Sequence, residues 1–186
     1  MEELIRTFIA IPINDDLKDG LKQVQENLRL AGADVKWTTP EGMHLTLKFL
    51  GNVKVSQING ICKAVSEIAG NFAPFSISLS STGAFPNVNC PQIIWVGIGE
   101  GKEIICEINH KTEDRLAMLG FKRDKKFSPH LTIGRMRGLK GFAELTKRII
   151  TIETPVKRMT VSKIHVMKSQ LATQGAIHSV LESITL

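Results

Sequence analysis

One short pattern occurs twice in this chain and constrains everything else. Met43-His44-Leu45-Thr46-Leu47-Lys48 and Phe127-Ser128-Pro129-His130-Leu131-Thr132-Ile133-Gly134-Arg135 share the unit His-Leu-Thr-aliphatic. In an extended strand residues i and i+2 lie on one face, so each copy presents a histidine and a threonine on one side and two aliphatics on the other. Each is therefore a strand with a buried back and a polar front. The segments around the two copies also repeat in kind: a helix, the His-Leu-Thr strand, another helix, then further strands. This order predicts an α+β fold with two pseudo-symmetric lobes, each an antiparallel sheet with flanking helices. The two polar strands then face each other across a cleft between the lobes.

Local patterning fills in the plan. Ile5 to Ile11 reads as a first strand, stopped by Pro12. Asn14 or Asp15 can cap a helix whose Leu17, Leu21, Val24 and Leu28 share one face, with Gly32 ending it. Val35-Lys36-Trp37 is a short strand, and a turn-rich Thr39-Pro40-Glu41-Gly42 leads into the first motif strand, which Gly51 is expected to close. A second helix carries Ile58, Ile61, Val65 and Ile68, and Phe75, Ile77 and Leu79 alternate with serines in a half-exposed strand. Ile93 to Ile98 is apolar throughout, as in a strand covered on both faces. A third helix with Ile104, Ile108, Leu116 and Leu119 ends at Gly120, before the basic loop Lys122-Arg123-Asp124-Lys125-Lys126 and the second motif. A short helix around Phe142 and Leu145 is followed by expected strands at Ile150 to Ile152, Val161 to Met167 and Ile177 to Ile184.

Composition narrows the function classes. No apolar run approaches the roughly 20 residues of a membrane span, and the acidic start Met1-Glu2-Glu3 lacks the basic region of a signal peptide, so a soluble cytoplasmic protein is expected. Cys62, Cys90 and Cys106 are odd in number, with no Cys-x-x-Cys pair, and read as free thiols rather than a disulfide framework or zinc site. The net charge of +6 is uneven: residues 94 to 186 hold 16 Lys and Arg against 9 Asp and Glu, whereas residues 1 to 93 hold 8 against 9. Such a field favours a phosphate-bearing partner. Lys122, Arg123, Lys125 and Lys126, just ahead of the second motif, are expected to hold that partner by charge.

The repeated residue types suit phosphoryl chemistry. Two facing histidines can act as base and acid on opposite sides of a phosphorus centre, because an unperturbed imidazole pKa near ~6.5 allows one neutral and one protonated ring. Thr46 and Thr132 can donate hydroxyls to non-bridging oxygens. Arg135 could clamp the phosphate, but strict alternation from His130 puts it on the wrong face unless Gly134 marks a bulge or the strand end. Lys48 falls on the His44 face and could touch phosphate or lie along the surface. Each motif supplies one histidine with no acidic neighbour, so no metal site is signalled. His110, His165 and His178 have no matching companions and read as structural; Phe8, Trp37 and Phe85 could stack on a base or belong to the core.

At these residues the chain resembles the 2H phosphoesterase superfamily, and within it the RNA 2',3'-cyclic phosphodiesterases, also called 2'-5' RNA ligases. The resemblance extends through Arg6 to Ile11, His44 to Gly51, Gly83-Ala84-Phe85-Pro86, Ile94-Trp95-Val96-Gly97, Phe127 to Arg135, and Lys168-Ser169 followed by Gly175-Ala176. It implies a single domain over residues 1–186 made of two lobes, and opening of a 2',3'-cyclic phosphate to a 2'-phosphate with neither metal nor cofactor. It also implies His44 and His130 as catalytic residues with Thr46, Thr132 and Arg135 on the substrate. The partner would be RNA with 2',3'-cyclic phosphate ends, tRNA fragments or short oligonucleotides, acted on by a monomer. His130 is expected as base and His44 as acid. Relatives commonly carry tyrosine after the Gly-Ala pair, where this chain has Ile177-His178 and no tyrosine anywhere. The ligase reaction is the same ring opening with a ribose hydroxyl in the place of water. Competing expectations are a 2'-5' oligonucleotide or cyclic-nucleotide phosphodiesterase with the same motif residues, and an RNA-binding module without catalysis.

Overall fold

The two motif strands lie side by side at the centre of a nine-stranded sheet. The computed structural model describes residues 2–172 and 175–186. Along the chain run β1 (Leu4–Pro12), α1 (Asp15–Arg29), β2 (Val35–Trp37), β3 (His44–Lys54), α2 (Val55–Ala69), β4 (Phe75–Phe85), β5 (Ile93–Ile98), α3 (Lys102–Ala117), β6 (His130–Met136), α4 (Phe142–Thr151), β7 (Arg158–Val161), β8 (Lys163–Ala172) and β9 (Gly175–Thr185). In space the strands follow the order β7, β4, β5, β6, β3, β1, β8, β9, with β2 beside β6, and all pairings are antiparallel. Each motif strand thus begins a four-stranded half-sheet: β6, β5, β4, β7 on one side and β3, β1, β8, β9 on the other.

The halves touch through one bridge, Leu45 opposite Leu131. Beyond it β3 and β6 part, and β2 fills the gap by pairing Val35, Lys36 and Trp37 with Met136, Arg135 and Gly134. Gly134 is needed there, because a Cβ would come within 2.8 Å of the Val35 side chain and 3.1 Å of the Trp37 ring. This parting opens the cleft between the half-sheets.

Helices cover the other face. Asn14 accepts a hydrogen bond from the Leu17 amide at 3.0 Å, and Leu17, Leu21, Val24 and Leu28 of α1 are buried as their spacing predicts. α1 and α4 pack on the β6 half, α2 and α3 on the β3 half. The lobes are consequently not successive halves of the chain: β8 and β9 return to sit beside β1, while β4 and β5 join β6. Ile93 to Ile98 is buried on one face only, through Ile94, Val96 and Ile98, and the stretch Val161 to Met167 is split at Ser162 between β7 and β8; two helical readings differ from expectation as well. Ile150 and Thr151 end α4 and Ile152 caps it, since Leu145 and Ile149, four residues apart, share the buried face and leave Ile150 64% exposed. On α3 the buried apolar set is Ile105, Ile108 and Leu116, with Ile104 partly covered and Leu119 beyond the helix. Among the described residues no helix is long and apolar enough to cross a membrane.

Candidate active site

Both motif strands carry the same irregularity three residues after the histidine. Against β1, Thr46 pairs with Ala10 and Lys48 with Ile9, leaving Leu47 as an extra residue; against β5, Thr132 pairs with Trp95 and Gly134 with Ile94, leaving Ile133 extra. A bulge resets the alternation of faces. His44, Thr46 and Phe49 line the cleft from one strand, and His130, Thr132 and Arg135 line it from the other. The condition that Arg135 needed is met, with the irregularity at Ile133 and Gly134.

The same bulge turns Lys48 away. Its side chain is 1% exposed on the helical face, where Nζ stands 2.7 Å from both carboxylate oxygens of Glu113 on α3. Lys48 therefore neither reaches the cleft nor lies along the surface. Gly51, expected to close β3, instead sits at a second irregularity, at φ 72°, between Thr7 and Phe8 on β1, and β3 runs on to Lys54.

The cleft, about 550 Å³, brings together all five residues singled out by sequence, with Arg6, Thr7, Phe8, Lys36, Trp37, Phe49, Phe85, Ser169 and His178 also on its walls. His130 Nδ1 lies 2.7 Å from the Ser128 carbonyl. A carbonyl only accepts, so Nδ1 carries the proton and the neutral ring offers Nε2 as its basic nitrogen. The carbonyl two residues before His44, that of Gly42, acts on that ring in the same sense. Each imidazole rests on an aromatic ring: Phe8 stacks on His44 with centroids 4.9 Å apart, and Phe85 meets His130 edge-on at 4.9 Å.

Electrostatics favour neutral imidazoles in the cleft. Burial, then the neighbouring His178, lower the His44 pKa to about 4 against the opposing pull of the Gly42 carbonyl. Burial also lowers His130; the Ser128 carbonyl opposes this, and the Arg135 guanidinium is close enough to lower it further. An anion bound between the rings would reverse the balance by favouring imidazolium.

His178 is the residue that periodicity alone missed. On β9, opposite Ser169, its ring meets His44 edge-on at 5.2 Å and Phe8 at 5.0 Å. Its Nδ1 is buried and has no hydrogen-bond partner among the described residues, and burial lowers its pKa. Its only signal in the sequence was its place just after Gly175-Ala176. Phe49, 61% exposed on the cleft wall, was hidden by the bulge. His110 pairs on the surface with Asp114 at 3.5 Å, and His165 lies opposite Ala10, away from the cleft.

The basic loop does not reach the site. Arg123 is paired with Asp114, the Lys122 carbonyl accepts from Lys48 at 2.9 Å, and none of Lys122, Arg123, Lys125 and Lys126 lines the cleft. The cations on the cleft wall are Arg6, Lys36 and Arg135. Among the described residues no group of three His, Cys, Asp or Glu is arranged to hold a metal ion, and the three cysteines are free thiols.

Comparison with known proteins follows the same outline. The sequence matches the family described as LigT-like phosphoesterase over residues 11–95 and 99–178, which takes in both motif strands. An RNA 2',3'-cyclic phosphodiesterase of Methanothermobacter thermautotrophicus is 31% identical over 181 residues, spanning 96% of this chain and 97% of the relative. One of Thermotoga maritima is 32% identical over 177 residues, spanning 95% and 93%. A crystal structure of a Thermus thermophilus protein superposes with a TM-score of 0.82 at 23% identity over 98% of both chains, the same fold. A family pattern that spans both half-sheets, together with full-length relatives above 30% identity, makes this chain a member of the LigT-like phosphoesterase family.

Proposed function

We propose that this chain hydrolyses RNA 2',3'-cyclic phosphate ends to 2'-phosphates. The observation that carries the reading is the pairing of His44 with Thr46 and His130 with Thr132 on two similarly bulged strands that line one cleft. The activity printed for the full-length relatives, RNA 2',3'-cyclic phosphodiesterase, supports it.

In this reading the cyclic phosphate lies between the two imidazoles. His130, with Nδ1–H held by the Ser128 carbonyl, takes a proton from water through Nε2 as the water oxygen attacks phosphorus. The P–O3' bond breaks on the opposite side, and O3' takes a proton from the His44 imidazolium. Ring opening leaves a 2'-phosphate and a free 3'-hydroxyl, with one proton gained by His130 and one lost by His44. A depressed pKa makes protonated His44 a strong acid, and the anionic phosphate supplies the charge that loads it. Thr46 and Thr132 donate to the non-bridging oxygens, and Arg135 balances the charge that grows there. A ribose hydroxyl in place of water turns the same geometry to 2'-5' joining. The site is complete within one chain, which suits a monomer, and three free thiols suit the cytoplasm.

The test is incubation of the protein with a 2',3'-cyclic-phosphate oligonucleotide in excess EDTA, with the product isomer identified by phosphorus NMR. A 2'-phosphate is expected. A 3'-phosphate, or turnover restored only by a divalent metal, overturns the reading. Turnover confined to internal 2'-5' linkages or free cyclic nucleotides moves the activity to those phosphodiesterases. Binding without turnover makes the chain an RNA-binding module.

A further inference from the structure

Lys36 and Arg135 stand directly opposite each other on the antiparallel pair β2 and β6. Residues opposed in this way project from the same face with side chains about 5 Å apart at their bases, and like charges so placed destabilise a sheet. Both are exposed, both line the cleft, and neither has a carboxylate partner among the described residues. On the far side of Arg135 the β5 neighbour is Ile93, which offers no counter-charge. A ladder position that usually favours opposite charges holds two cations instead, at the edge of a site for an anion.

Their order matters as well. Arg135 is near enough to His130 to oppose its protonation, whereas Lys36 is one strand further out, on β2, where the half-sheets have parted. We infer that Lys36, with Arg135 standing between it and the phosphate being opened, forms a subsite for a second phosphate, the phosphodiester that links the terminal nucleotide to the residue on its 5' side. The inference rests on the hydrolase reading and deepens it: the substrate is an RNA 3' end with at least one internucleotide phosphate, and the strand leaves the cleft over β2. A phosphate at Lys36 offsets its repulsion with Arg135 and accepts a charge-assisted hydrogen bond from the ammonium.

The experiment compares a dinucleotide ending in a 2',3'-cyclic phosphate with the same molecule carrying an uncharged methylphosphonate linkage. For the wild-type protein kcat/KM is expected to favour the charged linkage by about tenfold, expressed in KM, with a salt slope steeper by about 0.7 for the one added phosphate contact. In Lys36→Gln that ratio should fall toward one, and Lys36→Arg should keep it. Equal wild-type rates on the two linkages overturn the subsite but leave the hydrolase reading standing, because both molecules are still opened. A preference that survives Lys36→Gln puts the phosphate elsewhere and overturns the assignment. Failure to open either dinucleotide, or a cyclic mononucleotide, overturns the hydrolase reading on which the subsite depends.

Discussion

Removing the Glu113 carboxylate should be among the most damaging single changes outside the hydrophobic core. Lys48 and Glu113 are 1% and 9% exposed at the side chain, and the Lys48 ammonium lies 2.7 Å from both carboxylate oxygens. The same ammonium donates to the Lys122 carbonyl at 2.9 Å and sees Asp124 at 3.7 Å, while Glu113 accepts from the Asp124 amide at 3.1 Å. In Glu113→Ala a buried ammonium keeps no carboxylate nearer than that of the exposed Asp124 at 3.7 Å, a loss of its close counter-ion that costs about 3–5 kcal/mol. For a chain of this size that is a fall in Tm of roughly 6–20 °C. Lys48→Met with Glu113→Ala buries no charge, so the double variant should recover most of the loss, a coupling of about 2–3 kcal/mol in a double-mutant cycle. Urea unfolding followed by circular dichroism measures all four corners. A Glu113→Ala variant within about 1 kcal/mol of wild type would refute the reasoning, since it would mean that water reaches the ammonium. Activity should not recover with stability in the double variant. The Asp124 amide has then lost its acceptor, and the loop that Glu113 anchors leads to Ser128, whose carbonyl orients His130.

His44→Ala and His130→Ala should each lower kcat by about 10²-fold or more, and the double variant should fall well short of the product of the two losses. A substrate with a good leaving group should rescue His44→Ala but not His130→Ala; rescue of both alike would refute the assignment of acid and base. Because the folded pKa of His44 lies near 4, below the unfolded value of about 6.5, the unfolded chain binds this proton first as pH falls. Its stabilising contribution is therefore full above pH about 6.5 and is lost toward pH about 4, with His130 and His178 adding in the same sense. Between pH about 7 and about 4.5 the wild type should lose about 2–3 kcal/mol more than His44→Leu, by urea unfolding at each pH; equal losses would contradict it. His178 lowers the His44 pKa through its charge, so in His178→Asn the His44 ring should titrate higher, read from its imidazole proton shifts, and an unmoved titration would remove His178 from the electrostatics of the cleft.

Much of this protein was legible in its residues one strand at a time. The doubled His-Leu-Thr-aliphatic unit determined two half-buried strands and the four polar side chains on them, because alternation along a strand is a local property of the backbone. The amphipathic spacing of Leu17, Leu21, Val24 and Leu28 marked α1 and its buried face for the same reason. What tertiary structure alone decided lies where neighbouring strands interrupt that alternation. The extra residues Leu47 and Ile133 exist only relative to β1 and β5; they sent Lys48 to a buried ion pair and brought Phe49 and Arg135 to the cleft. His178 stands 134 positions from His44 along the chain, and their contact arises only because β9 returns beside β8 and β8 beside β1. Lys36 and Arg135 became a pair only when β2 entered the gap left by the parting motif strands. A sequence records the faces of its own elements, whereas register, bulges and the order of strands are settled between elements, by how the two half-sheets pair and bury their common core.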